Sequence, residues 1–573
     1  IAEENIPSVR GASQAYGLSF TPGTWVESIQ ITKGAGSVVN GYESISGQIN
    51  TELIKPINDI PFFLNAYGST DSRFELNTHF NTQLSNTWSS SLFLHGNTRA
   101  AKMDQNKDGF LDNPLAKQIN ILNRYQYYDP EKGWVSFINF RYMNDKKQMG
   151  QMSFNPDKDR GTTNLWGSEI NTERLDVTTK LGYVFKDMPY QSIGFQNAFT
   201  THNQQSYFGL NQYNIKQNSY YSNLIFNSII NNTMHKFATG LNFSLDNYQE
   251  LFAVKDWSRT DNSVGAFFEY TYDNDENFSL ILGGRIDNHN RLGTFVTPRL
   301  HLRYNPWEKA VIRFSAGRGK RSANIFAESQ SLFASSRAFS ILDTNGKIYG
   351  LNPEIAWNYG GSFTQSFLLF GKSADVSLDL YRTDFQNQVV VDVMQSPQQV
   401  LFYNLTGRSF ANSVQLEFNY DFTTRFKMRS AYKMYDVQTD YLSGTFQKPL
   451  QAKKRFFGNL EYETSSFSNS QYWKFDFTYN WIGAQQLPNT QSNSNIDRLP
   501  KFSPAYSLMN TQITRVFSSV FEVYVGGENI GNYTQSKAIL GAENPFDATF
   551  DSSIVYAPIF GQMYYAGLRF KIK

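Results

Sequence analysis

The sequence predicts an all-β fold, a transmembrane antiparallel β-barrel of about 22 strands. Three observations carry that reading: an aromatic-rich yet weakly hydrophobic composition, runs in which apolar and polar residues alternate, and turn signals that are short on one side of the chain path.

Phe 48, Tyr 34 and Trp 9 make up 16% of the 573 residues, whereas 18% are charged and mean hydropathy is −0.47. No stretch approaches the roughly 18 uninterrupted apolar residues that a membrane-crossing helix needs, which excludes helical spans. A barrel strand needs apolar side chains only at every second position, with aromatic girdles at both interfaces, and this composition supplies both. The chain has no cysteine, in keeping with an oxidising compartment in which no disulfide is used. A net charge of +2 offers no reason to propose nucleic acid as a partner. No signal peptide opens the chain, so Ile1 is expected to be an internal start.

The alternation is clearest where Val414, Leu416, Phe418, Tyr420 and Phe422 interleave with Gln415, Glu417, Asn419 and Asp421. One face then suits lipid and the other water. Phe426, Met428, Tyr432 and Met434 interleave in the same way with Lys427, Arg429 and Lys433. Trp473, Phe475, Phe477, Tyr479 and Trp481 do so with Lys474, Asp476, Thr478 and Asn480, and Ala374, Val376, Leu378 and Leu380 with Asp375, Ser377 and Asp379.

Very short links are expected at 129–133, 231–235, 273–277, 306–309, 423–425 and 518–519, with every other connection long, as between Arg318 and Gly350 or Tyr533 and Ser553. A soluble sandwich would show similar lengths on both sides, whereas short turns at one rim and long loops at the other are the topology of an outer-membrane barrel. A lumen of this width cannot be filled by wall side chains, so it is either plugged or a pore.

The opening residues bear on that choice. Trp25-Val26-Glu27-Ser28-Ile29-Gln30-Ile31-Thr32-Lys33-Gly34 is followed by Ser37-Val38-Val39-Asn40-Gly41 and Ser46-Gly47-Gln48-Ile49-Asn50, with glycines that permit tight turns in a crowded lumen. This order resembles the end of the plug domain in TonB-dependent outer-membrane receptors. There a strand ending in Lys-Gly leads through a small-residue turn and a Tyr-Gly-like pair to a Gly-x-Ile-Asn strand. Asn40 stands where many members carry tyrosine. Lys33, Gly34, Asn40, Gly41, Gly47, Ile49 and Asn50 are the plug-motif positions.

The resemblance continues through Gly284-Arg285-Ile286-Asp287 with Thr297-Pro298-Arg299, Leu351-Asn352-Pro353-Glu354, Gly526-Gly527-Glu528-Asn529-Ile530-Gly531-Asn532 and the closing strand Tyr564 to Phe570. Many such barrels end on an aromatic residue, whereas this chain runs on through Lys571-Ile572-Lys573. The resemblance implies residues 1–57 as the C-terminal part of a plug domain and 58–573 as the barrel. It also implies a place in the outer membrane of a Gram-negative bacterium. The first part of the plug and the TonB box are expected upstream of Ile1, so coupling to the TonB complex is implied by the resemblance only.

One segment has the spacing of a metal loop. Asp104, Asn106, Asp108 and Asp112 occupy loop positions 1, 3, 5 and 9, with Gly109 at 6 and the Phe110 carbonyl at 7, as a Ca²⁺ loop requires. Position 12 is Leu115, so the bidentate glutamate is missing. Two readings follow: a weakly held structural Ca²⁺ ion, or an acidic turn with Asx-type hydrogen bonds and no ion. The loop is expected at the outer rim, between strands ending near Arg99 and starting near Gln118.

Other candidates are weaker. His79, His95, His202, His235, His289 and His301 lack ligand spacing. Met143, Met149 and Met152 could offer thioethers to Cu(I), with loop packing as the alternative. Arg318, Lys320 and Arg321 could attract an anionic chelate or pair, facing the lumen, with plug carboxylates. Asp273, Asp275 and Glu276 fit a solvated turn. Nothing pairs a nucleophile with a base or cradles phosphate, so no enzyme is expected.

The sequence reading is therefore a receptor that imports a scarce nutrient, with a metal complex, siderophore, haem or cobalamin favoured. The loops 257–262, 319–349 and 533–556 are expected to bind it, and Gln415, Glu417 and Asn419 to line its route. A surface lipoprotein or another outer-membrane protein is the further partner considered, beside the lipid bilayer and the TonB complex. The alternatives are a passive pore or structural barrel in a larger assembly, and a soluble carbohydrate-binding β protein.

Overall fold

The structure, a computed structural model, describes residues 10–466 and 471–572. Two strands come first: β1 (Val26–Lys33) and β2 (Gly47–Leu53), an antiparallel pair in which Ile31 lies opposite Ile49 and Gln30 opposite Asn50. From β3 (Phe62–Ser69) onward, 22 strands hydrogen-bond in sequence, and the last, Met563–Ile572, closes the barrel on β3. Closure leaves no free sheet edge, so the wall's backbone groups are paired within the hydrocarbon layer.

The alternation read from the sequence is the alternation of the wall. Leu416 is 49% exposed on the lipid side, while Gln415 and Glu417 face the lumen. Register keeps the faces matched: Gln415 is opposite Lys433, Leu416 opposite Tyr432 and Glu417 opposite Ala431. A slip of one residue would carry every charge on the strand into lipid.

The turns at the narrow rim are tight, at 130–133, 274–277, 370–371 and 424–425. Asn231 alone joins Asn211–Ile230 to Asn232–Phe252, with φ +63°, a left-handed conformation that asparagine tolerates. The strand therefore resumes at Asn232 and does not wait for His235. The opposite rim carries long connections at 100–114, 151–166, 322–353, 388–408, 483–505 and 529–562. It does not carry them throughout, which corrects the sequence expectation. The connections 70–72, 209–210 and 290–292 are as short as those of the narrow rim.

The two strands joined at Asn231 have 20 and 21 residues. At about 3.3 Å per residue they run some 65–70 Å, well beyond an apolar band of about 25 Å, so they project past the membrane. The long connections fold against this tall section. Phe326 and Phe333 stack on Phe252 at 4.6 and 4.7 Å between centroids, and Phe402 and Phe550 join the same buried cluster. Arg337, 1% exposed, donates to Asp551 at 2.9 Å and ties 322–353 to 529–562. The mouth is thereby roofed by its own loops.

Candidate functional site

The N-terminal segment lies in the lumen and is held unequally around its circumference. One arc of wall, from Trp88–Arg99 to Ala310–Arg321, grips it closely. Trp25 is buried against Phe93 (5.6 Å between ring centroids) and Leu122. Asn120 donates to the Phe20 carbonyl at 2.5 Å, Gln217 accepts from the Ala12 amide at 2.8 Å, and Arg10 pairs with Asp246 at 3.4 Å.

The firmest holds are two arginines from the mid-barrel motif. Their odd-numbered positions point inward: Arg285 donates to the Val38 carbonyl at 2.9 Å, and Arg299 to the Gly36 carbonyl at 2.6 Å. Arg285 also makes a two-pronged ion pair with Asp287 (2.6 and 2.7 Å), both side chains fully buried. Glu269 accepts from Ser37 at 2.7 Å. Carbonyls at a turn have no strand partner, so charged donors fixed on the wall satisfy them and hold the turn in place.

The other arc, from Glu354–Leu369 to Tyr506–Val516, stands away from the plug. Among the described residues its one ion pair to the plug is Lys33 with Asp379. Gly34, with φ +85°, lies against both arcs: a Cβ there would be 2.2 Å from Ser315 Oγ on the gripping arc and 3.1 Å from the Tyr381 ring on the other. Cavities flank the contact. One of about 780 Å³ includes Lys33, Asp379, Tyr381, Gln415 and Lys433, and one of about 460 Å³ includes Lys33, Asp379, Tyr381, Glu417 and Arg313. A third, of about 650 Å³, lies under the loops beside Gln415, Lys433 and Arg455. Lys33 and Asp379 therefore form the neck between the first two spaces.

The other motif residues stay within the plug. Asn40 closes the short helix Val38–Asn40 and donates to Gln48 at 3.3 Å, Gly41 has φ +118°, Gly47 starts β2, and Asn50 donates to Gln30. Ile29, Ile31 and Ile49 form an exposed apolar face of the hairpin. Gln415 and Glu417 line the cavities, as their alternation implied, and Asn419 donates to Glu417 and Asp375.

The basic cluster is not arranged as expected. Gly317 and Gly319 face the plug, against Ala35 and Ile45, which turns Arg318 outward to Gln386 and the Val296 carbonyl. Lys320 donates to the Leu292 carbonyl, and Arg321 pairs with Glu328 and Glu354 of the wall and its loop. Among the described residues none meets a plug carboxylate. The expected 257–262 loop is also shorter, because Arg259–Asp273 is strand; Trp257 packs on Phe326 and Tyr349.

In the 104–112 loop the oxygens serve the loop itself. Asp104 accepts from the amides of Asp108 and Gly109, Asn106 from Asp108, Asp108 from Phe110 and Asp112 from Gln105. Burial pushes the Asp112 carboxyl up to about 6 and raises that of Asp108. Among the described residues no three His, Cys, Asp or Glu side chains are gathered as a metal centre. These are Asx-type hydrogen bonds within the loop. His79 contacts Asp59, and His95 contacts Asn77 and Gln118. Met143 is buried beneath Gln118.

Sequence reasoning marked the segments around Arg285 and Arg299 by resemblance but not their role. Inward parity beside a plug was the available signal.

Residues 30–530 match the family model described as TonB dependent receptor-like, beta-barrel. No curated protein matches the chain. Among solved structures it resembles the siderophore receptor PirA from Acinetobacter baumannii, with a TM-score of 0.73 and 12% identity over 96% of this chain and 86% of that one. It also resembles the copper transporter OprC (TM-score 0.76, 11% identity, 98% and 88% covered). A third is the ferric enterobactin receptor PfeA of Pseudomonas aeruginosa in complex with enterobactin (0.72, 11%, 96% and 87%). At these identities the likeness is one of fold. With most of its length matched by the family model, the chain belongs to the TonB-dependent receptors, transport proteins of the Gram-negative outer membrane and not enzymes.

Proposed function

We propose that this receptor imports a metal complex of the siderophore, haem or cobalamin kind, and that the cargo passes between the plug and the wall from Glu354–Leu369 to Tyr506–Val516. The observation that carries the reading is the one-sided hold: buried Arg285 and Arg299 clamp the plug to one arc, while the other has the Lys33–Asp379 contact and open space. Pulling on such a plug swings it about its clamped side. A passive pore has no use for charged clamps on a lumenal segment. Energy comes from the TonB complex, which is the family's partner.

The test uses cells with and without TonB and an elemental and mass-spectrometric assay of what co-purifies from the native membrane. A metal chelate bound in both strains but accumulated only with TonB supports the reading. Equal accumulation in both overturns it.

A second proposal concerns the 104–112 loop, whose oxygen spacing supports weak Ca²⁺ affinity once the Asx hydrogen bonds are exchanged for the ion. Protection of the loop from protease on adding Ca²⁺ is the expected result. Unchanged cleavage leaves the ion-free turn as the answer.

A further inference from the structure

The wall is not laddered to the same height all round. Gly293–Tyr304 and Ala310–Arg321 pair from Tyr304 opposite Ile312 up to Arg299 opposite Gly317, and no further. Pro298, which has no N–H to give, stands where the ladder stops. Above it the plug takes the place of a strand: the Lys320 amide donates to the Tyr42 carbonyl at 3.2 Å, and the Tyr42 ring packs edge-on against Phe295 at 5.1 Å. Arg318 closes the lipid side of the gap, donating to the Val296 carbonyl at 3.4 Å and to Gln386 at 3.2 Å. Backbone groups that face hydrocarbon need partners, and here the plug and an arginine side chain supply them.

Ala310 opens its strand at the narrow rim, and Arg318 lies on the same strand towards the outer rim. The stretch between them is about 26 Å of strand, or about 20 Å of height at a tilt of about 40°, which sets Arg318 in the outer part of an apolar band about 25 Å tall. A guanidinium on the lipid face at that depth is costly unless an anion accompanies it. The partners of Arg318 are a carbonyl and an amide, both neutral, and among the described residues it is in no ion pair. Arg382, two strands away on the same face, carries Asp384 at 2.6 Å. On the narrow-rim side of Arg318 the lipid face is hollow. Gly284, Pro298 and Ala316 lie on adjoining strands with little or no side chain, and Phe268, Leu282 and Trp357 rise around them to leave a groove of about 570 Å³. A Cβ on Gly284 would meet nothing within 4 Å. Trp357 joins the groove to the arginine, because it lines the one and lies directly opposite the other in register.

We propose that this groove is a specific site for the phosphorylated glycolipid of the outer leaflet, with one acyl chain lying over Gly284, Pro298 and Ala316 and a phosphate bound by Arg318. An apolar trough with an unpaired cation at its outer end fits an amphiphile lying along it, chain below and anion above. Depth selects the leaflet, because a lipid of the inner leaflet carries its headgroup at the opposite rim. The groove lies on the lipid side of the strands whose inward Arg285 and Arg299 clamp the plug, so the bound lipid backs the clamped arc. The site is independent of what the receptor imports.

The test is native mass spectrometry of the purified full-length protein, washed free of membrane lipid in mild detergent and then given diphosphoryl lipid A. The readout is the fraction of protein that carries one lipid. R318Q is expected to lower that fraction about fivefold, the worth of one basic residue at an anionic headgroup. G284L fills the groove without a clash and is expected to lower it as well, whereas L241F, on the lipid face of the tall section, leaves it unchanged. Phosphatidylethanolamine, whose headgroup is neutral overall, is expected to be retained at a lower fraction. Heat-modifiable migration confirms that each variant is folded. Retention that survives R318Q or G284L, or equal retention of phosphatidylethanolamine, overturns the proposal. A protein dimer that comes apart in G284L overturns it too, by giving the groove to a second copy of the chain.

Discussion

Removing the Arg285 side chain separates the stability of the barrel from the attachment of the plug. The guanidinium and the Asp287 carboxylate are both fully buried and joined by two hydrogen bonds, with Asn242 accepting a third at 3.2 Å. Arg285→Ala leaves Asp287 buried without its partner, which costs about 3–5 kcal/mol. It also removes the charged donor to the Val38 carbonyl, a bond of about 1.5–3 kcal/mol. That second loss falls on the plug's attachment, and at about 1.4 kcal/mol per decade it shifts docking by roughly 10- to 150-fold. The double variant Arg285→Met, Asp287→Leu removes the orphaned charge but not the lost anchor. Unfolding followed by heat-modifiable mobility should therefore show the single variant strongly destabilised and the double near the unaltered protein. Planar-bilayer conductance, which rises when the plug leaves the lumen, should be elevated in both. A double variant that restores the closed state, or a single variant destabilised by less than about 1 kcal/mol, would refute the assignment of Arg285 as a plug anchor.

Further expectations concern the neck, the roof and one acid. Lys33→Met and Asp379→Asn should each raise bilayer conductance, and the double should do no more than either single, because one contact is lost in all three. Additive effects would show that the two residues act apart. Arg337→Ala should expose the 322–353 and 529–562 loops to protease, because Asp551 is left buried and unpaired at a cost of about 3–5 kcal/mol; cleavage at the unaltered rate would count against the roof. Asp497 links loops 483–505 and 529–562. Although burial acts to raise its carboxyl, Lys537 at 3.0 Å and the Gly541 amide outweigh that and hold it below 3.8. A depressed carboxyl stabilises above its unfolded value and loses that contribution as pH falls through its folded one. Protease resistance of these loops should therefore hold at neutral pH and fall below about 4, and Asp497→Asn should flatten that dependence.

How much of this was legible beforehand depends on how far apart the interacting residues lie. The alternation of Val414 to Phe422 is local, and with the narrow-rim turns it was enough for the wall, the strand count and the inward face of Gln415 and Glu417. The Lys-Gly to Gly-x-Ile-Asn order was enough to place a plug. The short connections at 70–72, 209–210 and 290–292 were not foreseen, because a tight turn of two or three residues sends no loop signal; the strands joined at 70–72 and 290–292 have only 8 to 12 residues, and those joined at 209–210 have 17 and 20. Arg318 was misplaced because Ala316-Gly317-Arg318-Gly319-Lys320 has no apolar face to set its parity. Contact of Gly317 and Gly319 with the plug decides it.

The sequence by itself determined what each residue's nearest chain neighbours decide: the pleat, the alternation, the tight turns and the resemblance of the first strands to a plug. Tertiary structure alone decided which part of the wall holds that plug, because Arg285 and the Val38 carbonyl are 247 positions apart and Lys33 and Asp379 are 346. It also decided which charges are neutralised. Lys427 and Lys433 look alike in the chain, and only the register sets Glu461 opposite one and Arg455 opposite the other.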